Sequence, residues 1–204
     1  MTRNPAPKLI LASASPRRLA LLAQIGIAPD SVAPAEIEEI QNRGEKPEDM
    51  ARRLAEAKAR AVAAGHPGAI VLAADTVVAC GRTALPKAET EREADACLKR
   101  LSGRAHMTIS GVAVIDSDGT CRYKASLTRV KFKRLSASEI AAYIASGEWH
   151  DKAGGYAIQG RAARFISAIN GSYSGVVGLP LYETATLLAT AGYPVDTALA
   201  DVSS

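Results

Sequence analysis

AIVLAADTVVAC, residues 69–80, is the stretch that decides the fold. From Ile70 to Val78 every residue is apolar except Asp75 and Thr76. Such a run reads as a strand of a buried sheet with one polar interruption, because strands covered on both faces lose the usual alternation. An ionised carboxylate in that setting is costly unless it is paired, hydrogen-bonded or bound to a metal. Asp75 therefore reads in one of two ways. It ends the strand and starts a turn, or it sits near a strand end to hold a divalent cation or activate water. No Gly or Pro follows it directly to make the turn.

Outward from this strand, residues 8–13 (KLILAS) form a second short buried strand. A helix follows, with Ser15 as N-cap, Pro16 at the first helical position, Leu19, Leu22 and Ala23 on its apolar face and Gly26 as its stop. Residues 47–66 form an amphipathic helix rich in Ala, Arg and Glu. After the Asp75 strand come a helix over 88–102, strands near 105–116 and 120–134, and a helix over 136–146. Ser136 and Glu139 are spaced as the capping box of that last helix. A Gly-rich stretch, DKAGGYAIQG (151–160), precedes a strand over 164–169 and a helix over 179–190, and the last ten or so residues are expected to fray. Strands and helices mix without strict alternation. The expectation is an α/β fold with a mixed sheet and flanking helices, in a single domain spanning residues 1–204.

The composition sets limits on function. Of 204 residues 48% are hydrophobic and 23% charged, which suits a soluble globular protein with a sizeable core. The formal charge of +4 favours anionic partners, yet aromatic residues are only 4% and no run of five basic residues occurs. A single-strand stacking platform needs more rings than that, so nucleic acid is disfavoured and a small phosphorylated ligand stays open. Cys80, Cys97 and Cys121 form no CxxC pair and no zinc-ligand cluster with His66, His106 and His150. Free thiols suit a reducing compartment, and no membrane-length apolar run appears, so the cytoplasm is the simplest location.

Other segments can carry chemistry. In Ser13–Ala14–Ser15–Pro16–Arg17–Arg18 a strand ends in small hydroxyl residues and a helix begins. Free first-turn amides, the helix dipole and two arginines attract phosphate there; the plainer reading is a Ser cap beside solvated arginines. On the helix after Pro47, a 100° wheel puts Met50, Leu54, Ala57 and Ala61 on the apolar stripe, with Lys58 between Leu54 and Val62. Lys58 either snorkels past the core edge, the better reading from the wheel alone, or reaches into a cleft. Glu39 in PAEIEE and Lys87 after Pro86 read by default as solvated loop charges. In DKAGGYAIQG the glycines allow close approach to a ligand and Gln159 offers an amide, and the alternative is a flexible surface loop.

In this order the segments resemble the Maf family of nucleotide pyrophosphatases. The matching stretches are LILASASPRRLALLAQIGI (9–27), PAEIEE (34–39), RRLAEAKARAV (52–62), AADTVV (73–78), PK (86–87), LSGRAHMTISGVAV (101–114), DKAGGYAIQG and INGSYSGVVGLPL (169–181). The resemblance implies an inosine triphosphatase-like fold with two lobes around a cleft, and cleavage between the α- and β-phosphates of a nucleoside triphosphate with a divalent cation (Mg, Mn or Co). It implies Asp75 as general base or metal-organising carboxylate, with Glu39 as a second metal ligand and with Lys58 and Lys87 among the catalytic charges. Ser13, Ser15, Arg17, Arg18 and Lys152 would bind substrate, and Arg17, Thr76 and Gln159 match positions linked to base choice. The DKAGGYAIQG and SPRR segments resemble the subgroup acting on dTTP and UTP rather than the 7-methyl-GTP subgroup. Family members are often dimers, so a homodimer is an open expectation. The segment around Glu39 departs from many relatives, which carry Asp where Glu38 stands. The implied role is a house-cleaning hydrolase. A rival is a nucleotide-sensing regulator of septum formation, which would not need a buried carboxylate poised near a metal.

Overall fold

The computed structural model describes residues 7–195. The expectation of a frayed end lies outside the described residues. In chain order the elements are β1 (Leu9–Leu11), α1 (Pro16–Gln24), β2 (Ser31–Val32), α2 (Pro47–Ala63), β3 (Ile70–Cys80), β4 (Thr83–Leu85), β5 (Lys87–Ala88) and α3 (Glu91–Leu101). Then follow β6 (Ala105–Ile115), β7 (Cys121–Phe132), α4 (Ala137–Ile144), β8 (Lys152–Ala153), a 3₁₀ turn (Arg161–Phe165), β9 (Ile166–Asn170), α5 (Tyr173–Val177) and α6 (Leu181–Thr190).

The sheet runs β2-β1-β3-β6-β7-β9, with β4 also on β3. It is of mixed direction, as expected, because β1 pairs parallel with both β2 and β3 while the remaining pairs are antiparallel. The decisive feature is β3. Its first three residues, Ile70 to Leu72, pair with β1, and its last three, Val78 to Cys80, pair with β4. Between these partners one edge of β3 is left open from Ala73 to Val77. Asp75 and Thr76 lie in the middle of that gap. The polar interruption in the apolar run is thus the point where the sheet forks.

Both faces of β3 are covered. Val71 and Ala73 pack with Ala55, Ala59 and Val62 of α2, whereas Ile70, Leu72 and Ala74 pack with Leu21 and Leu22 of α1 and with Leu187 and Leu188 of α6. The small side chains of α2 bring its backbone close to the sheet. Gly111, paired with Asp75 across the β3–β6 ladder, is a point of tight approach. A Cβ on Gly111 would lie 2.8 Å from both the Ala51 carbonyl oxygen and the Tyr123 hydroxyl. A separate cluster at the far end of β3 joins Val78 to α3, α4 and Trp149, Tyr156 and Phe165.

Several local readings shift for stated reasons. The helix expected over 88–102 starts at Glu91 because Thr90 and Glu93 make a full capping box, a signal present in the sequence but not used. Residues 87–88 instead pair with β8. The Ser136–Glu139 capping box forms as expected. Ser15 stands at the N-cap of α1 without a side-chain cap bond. Gly26, at φ 70°, turns the chain after that helix. Among the described residues, no helix is long and apolar enough to cross a membrane.

His106 is buried in the α3–α4 cluster, edge-on to Phe132 and Tyr156. Its Nε2 lies 2.8 Å from the Tyr156 hydroxyl and its Nδ1 has no partner among the described residues. Burial pushes its pKa down from 6.5 to about 4. As pH falls through that window the unfolded chain takes up a proton that the folded chain refuses. Stability is therefore complete above the unfolded value and falls by about 3 kcal/mol towards the folded one. Urea melts at about pH 7 and about pH 4.5 should show His106→Gln losing less stability on acidification than the wild type. Equal losses would mean that His106 is not the group responsible.

Candidate active site

The fork in the sheet opens into a cleft of about 240 Å³. Every candidate residue named from the sequence lines it: Ser13, Ser15, Arg17, Arg18, Glu39, Lys58, Asp75, Thr76, Lys87, Lys152 and Gln159. Asp75 and Thr76 are consecutive on a strand and point to opposite faces of the sheet, yet both reach the cleft. Only the missing neighbour strand makes this possible.

On one side, charges alternate in a chain. Lys58 donates to Asp75 Oδ1 and to Glu39 Oε1, both at 2.6 Å. Glu39 Oε2 takes Lys87 Nζ at 2.6 Å, and Lys87 lies 3.8 Å from Asp151 Oδ1. The snorkelling reading of Lys58 is overturned. The buried face of α2 is Ala51, Leu54, Ala55, Lys58, Ala59 and Val62, rotated from the stripe read off the wheel. Lys58 thus sits mid-face, and two carboxylates meet its largely buried charge. Nor are Glu39 and Lys87 unpaired loop charges, although Lys87 stays partly open to solvent. Glu39 lies in an irregular segment between β2 and α2, so its partners hold it in place. Burial raises its pKa, but the hydrogen bonds and charges of Lys58 and Lys87 outweigh this and hold it below the usual carboxylate range. For Lys87, burial lowers the pKa, and its bond to Glu39 with the nearby carboxylates brings it above the ordinary value.

On the other side, α1 begins at the cleft wall, where its positive end attracts anions. Arg18 is anchored: its Nε donates to the Gly178 carbonyl at 2.9 Å and its Nη1 to Ser13 Oγ at 3.1 Å. Ser13 Oγ also accepts from the Ser15 amide at 3.2 Å, so it ties this turn together as well as lining the cleft. The Arg17 side chain makes no hydrogen bond or ion pair with the described residues, and burial lowers its pKa. β5 and β8 pair Lys87 with Ala153 and Ala88 with Lys152, which brings both lysines to the wall. Burial, then the charges of Arg17 and Lys87, lower the Lys152 pKa. Five cations face three carboxylates across the lining, so the cleft attracts anions.

The glycines of DKAGGYAIQG act differently from the sequence reading. A Cβ on Gly154 would lie 2.8 Å from Val78 Cγ1, and one on Gly155 would lie 3.3 Å from the α3 backbone. They admit protein, not ligand, and so press this segment onto β3 and α3. Gln159 is exposed at the cleft. Asp151 opens this segment. It holds a left-handed backbone (φ 54°) at the cleft wall, and non-glycine residues held this way often mark functional sites. Ser110 was missed. Its Oγ donates to the Gly175 carbonyl at 2.6 Å and lies 3.0 Å from Thr76 Oγ1. The unused signal is that His106, Thr108 and Ser110 alternate with apolar residues along β6.

For a divalent cation the donors suit a hard ion. Among the described residues no group of three or more His, Cys, Asp or Glu side chains is placed to hold a metal. Mg²⁺-type ions are commonly held by one or two carboxylates with substrate phosphates and water completing the shell. Asp75 fits this. Lys58 takes its Oδ1, and Oδ2 accepts no hydrogen bond from the described residues. Glu39 has both oxygens engaged by lysines and stands beside it.

A family model for Maf-like proteins matches residues 8–191. The chain belongs to the Maf-like family. This Maf-like chain is 60% identical over 185 residues to a dTTP/UTP pyrophosphatase of Paramagnetospirillum magneticum, covering 91% of this chain and 97% of that protein. It is 58% identical to a dTTP/UTP pyrophosphatase of Novosphingobium aromaticivorans, covering 93% and 94%. A dITP/XTP pyrophosphatase structure from Mycobacterium abscessus superposes with a TM-score of 0.42 and 21% identity, over 64% of the Maf-like chain and 75% of that one.

Proposed function

We propose that this chain hydrolyses dTTP and UTP to the monophosphate and pyrophosphate. The observation that carries the reading is the Asp75–Lys58–Glu39–Lys87 chain of charges facing Arg17 and Arg18 across one cleft. Its base preference follows the names of the relatives at 58–60% identity. Arg17, Arg18, Lys87 and Lys152 bind triphosphate oxygens, and their fixed charge stabilises the negative charge that grows on the leaving pyrophosphate. Lys58, pinned between two carboxylates, holds Asp75 with one oxygen turned away from the ion pair. That oxygen orients a water towards the α-phosphorus and takes its proton as the bond to the β-phosphate bridging oxygen breaks. The negative charge of Asp75 and Glu39 would attract a divalent cation held chiefly by the substrate phosphates and water, and when bound the cation supplies charge neutralisation at the phosphates. The reading places the enzyme in the cytoplasm, where Cys80, Cys97 and Cys121 stay free thiols.

The test is pyrophosphate release from dTTP, UTP, CTP, dITP and 7-methyl-GTP, with and without Mg²⁺, Mn²⁺ or Co²⁺. Metal-dependent release highest from dTTP and UTP is expected. A preference for 7-methyl-GTP would overturn the base assignment and keep the reaction. No release from any triphosphate by folded protein would favour a nucleotide sensor.

A further inference from the structure

We infer that Ser110, a buried residue outside the cleft, fixes Thr76 as a one-way hydrogen-bond acceptor and so makes the site read a ring N–H on the substrate base. The inference rests on the proposed pyrimidine triphosphate substrates and deepens that reading.

The hydrogens available to the oxygens of Ser110, Thr76 and Gly175 fix the direction of each bond. Ser110 Oγ lies 2.6 Å from the Gly175 carbonyl oxygen, and two oxygens that close need a hydrogen between them. The carbonyl has none, so the Ser110 hydroxyl supplies it. Ser110 has one such hydrogen. Its 3.0 Å contact with Thr76 Oγ1 must therefore use the hydrogen of Thr76. Among the described residues the one other acceptor within reach of Thr76 is the Gly178 carbonyl at 3.5 Å, which also belongs to the protein and already receives Arg18. Either way the Thr76 hydrogen points into the protein. Towards the cleft Thr76 offers lone pairs alone.

The surroundings hold this polarity. Thr76 and Ser110 are cross-strand partners on β3 and β6, and Ser110 is 1% exposed. Gly175 is buried in α5, where its amide is held by Ser172 Oγ at 2.9 Å. At that burial the Ser110 hydroxyl has no access to the bulk water that could reverse its direction.

The chemical consequence follows from what each part of a nucleotide can present. Ionised phosphate oxygens only accept, so Thr76 does not serve the triphosphate. Sugar hydroxyls both donate and accept, so a fixed acceptor would not discriminate among them. Bases differ in this respect. Thymine and uracil in a nucleotide carry a single N–H, at N3, whereas cytosine carries a bare acceptor there. An acceptor locked at Thr76 pairs with the first two and meets the third lone pair to lone pair. A site built for one polarity rejects the other strongly because a desolvated polar group is left unpaired.

Ser110 is thus a positioning residue, and the readout is a ratio of specificities rather than activity alone. We expect the kcat/KM ratio of UTP to CTP to fall by about tenfold or more in Ser110→Ala, where the Thr76 hydroxyl is released to turn its hydrogen outward. Ser110→Thr, which keeps the hydroxyl, should restore the ratio. Thr76→Val, which removes the acceptor and leaves Ser110 its bond to the Gly175 carbonyl, should also collapse it, and tests the idea even if Ser110→Ala fails to fold. A UTP-selective wild type whose ratio survives both Ser110→Ala and Thr76→Val overturns this inference alone. A wild type selective for 7-methyl-GTP, which also has a ring N–H, overturns the substrate reading; collapse of its preference over ATP in the same variants would then support the inference. A wild type preferring CTP or ATP overturns both.

Discussion

Replacing Asp75 by Asn is expected to lower the rate of pyrophosphate release by about a thousandfold or more while leaving the protein folded. Asn matches Asp in shape, and its carbonyl oxygen can still accept the hydrogen bond from Lys58 that Asp75 Oδ1 accepts at 2.6 Å. What is lost is the negative charge and the ability to take a proton. Stability should change little. The attraction to Lys58 is weakened, but so is the cost of keeping a carboxylate at 4% exposure. The signature is therefore a collapse of kcat with an unchanged melting curve, and KM should move less than kcat because Arg17, Arg18, Lys87 and Lys152 still hold the phosphates. A variant retaining a tenth of wild-type turnover would show that the proton goes elsewhere.

Lys58→Met should have the largest effect on stability, about 3–5 kcal/mol, with activity lost as well. Methionine fits the space along the Ala-rich face of α2, so no large cavity opens. The damage is electrostatic. Asp75 and Glu39, each 2.6 Å from one ammonium in the wild type, are left facing each other without it. For a chain of this length the loss corresponds to a fall in Tm of roughly 10 °C. The deficit should narrow as pH is lowered into the carboxylate range, because a single proton shared by the pair relieves their repulsion. Adding Asp75→Asn to Lys58→Met should recover part of the stability, and this non-additivity separates a charge effect from a packing effect. Equal deficits at all pH values, with no recovery in the double variant, would mean that Lys58 acts through packing.

Much of the scaffold was legible in the sequence. Ile70 to Cys80 reads as the central strand because both its faces are apolar. Pro16 and Pro47 mark helix starts because each occupies a first-turn position whose amide has no partner to lose. The site residues were legible only as a set. Glu39, Lys58 and Lys87, taken one at a time, read as ordinary surface charge, and it was their order along the chain beside Asp75 that resembled a known family. Gly154 and Gly155 were visible, but what they approach was not, since a glycine states that something comes close without saying what.

The sequence by itself determined the secondary structure of the frame, the mixed α/β class and the family. Those properties rest on local periodicity, caps and ordered motifs, which neighbouring residues carry. The tertiary structure alone decided where Lys58 points, because its partners lie 19 residues before and 17 residues after it. It alone decided that Asp75 and Thr76, on opposite faces of one strand, share a cleft, because that depends on where β1 ends and β4 begins. It also decided the polarity of Thr76, which a serine 34 residues away sets through a carbonyl 65 residues beyond. Ion pairs and hydrogen-bond direction are properties of the groups that meet in space, and spacing along the chain does not encode them.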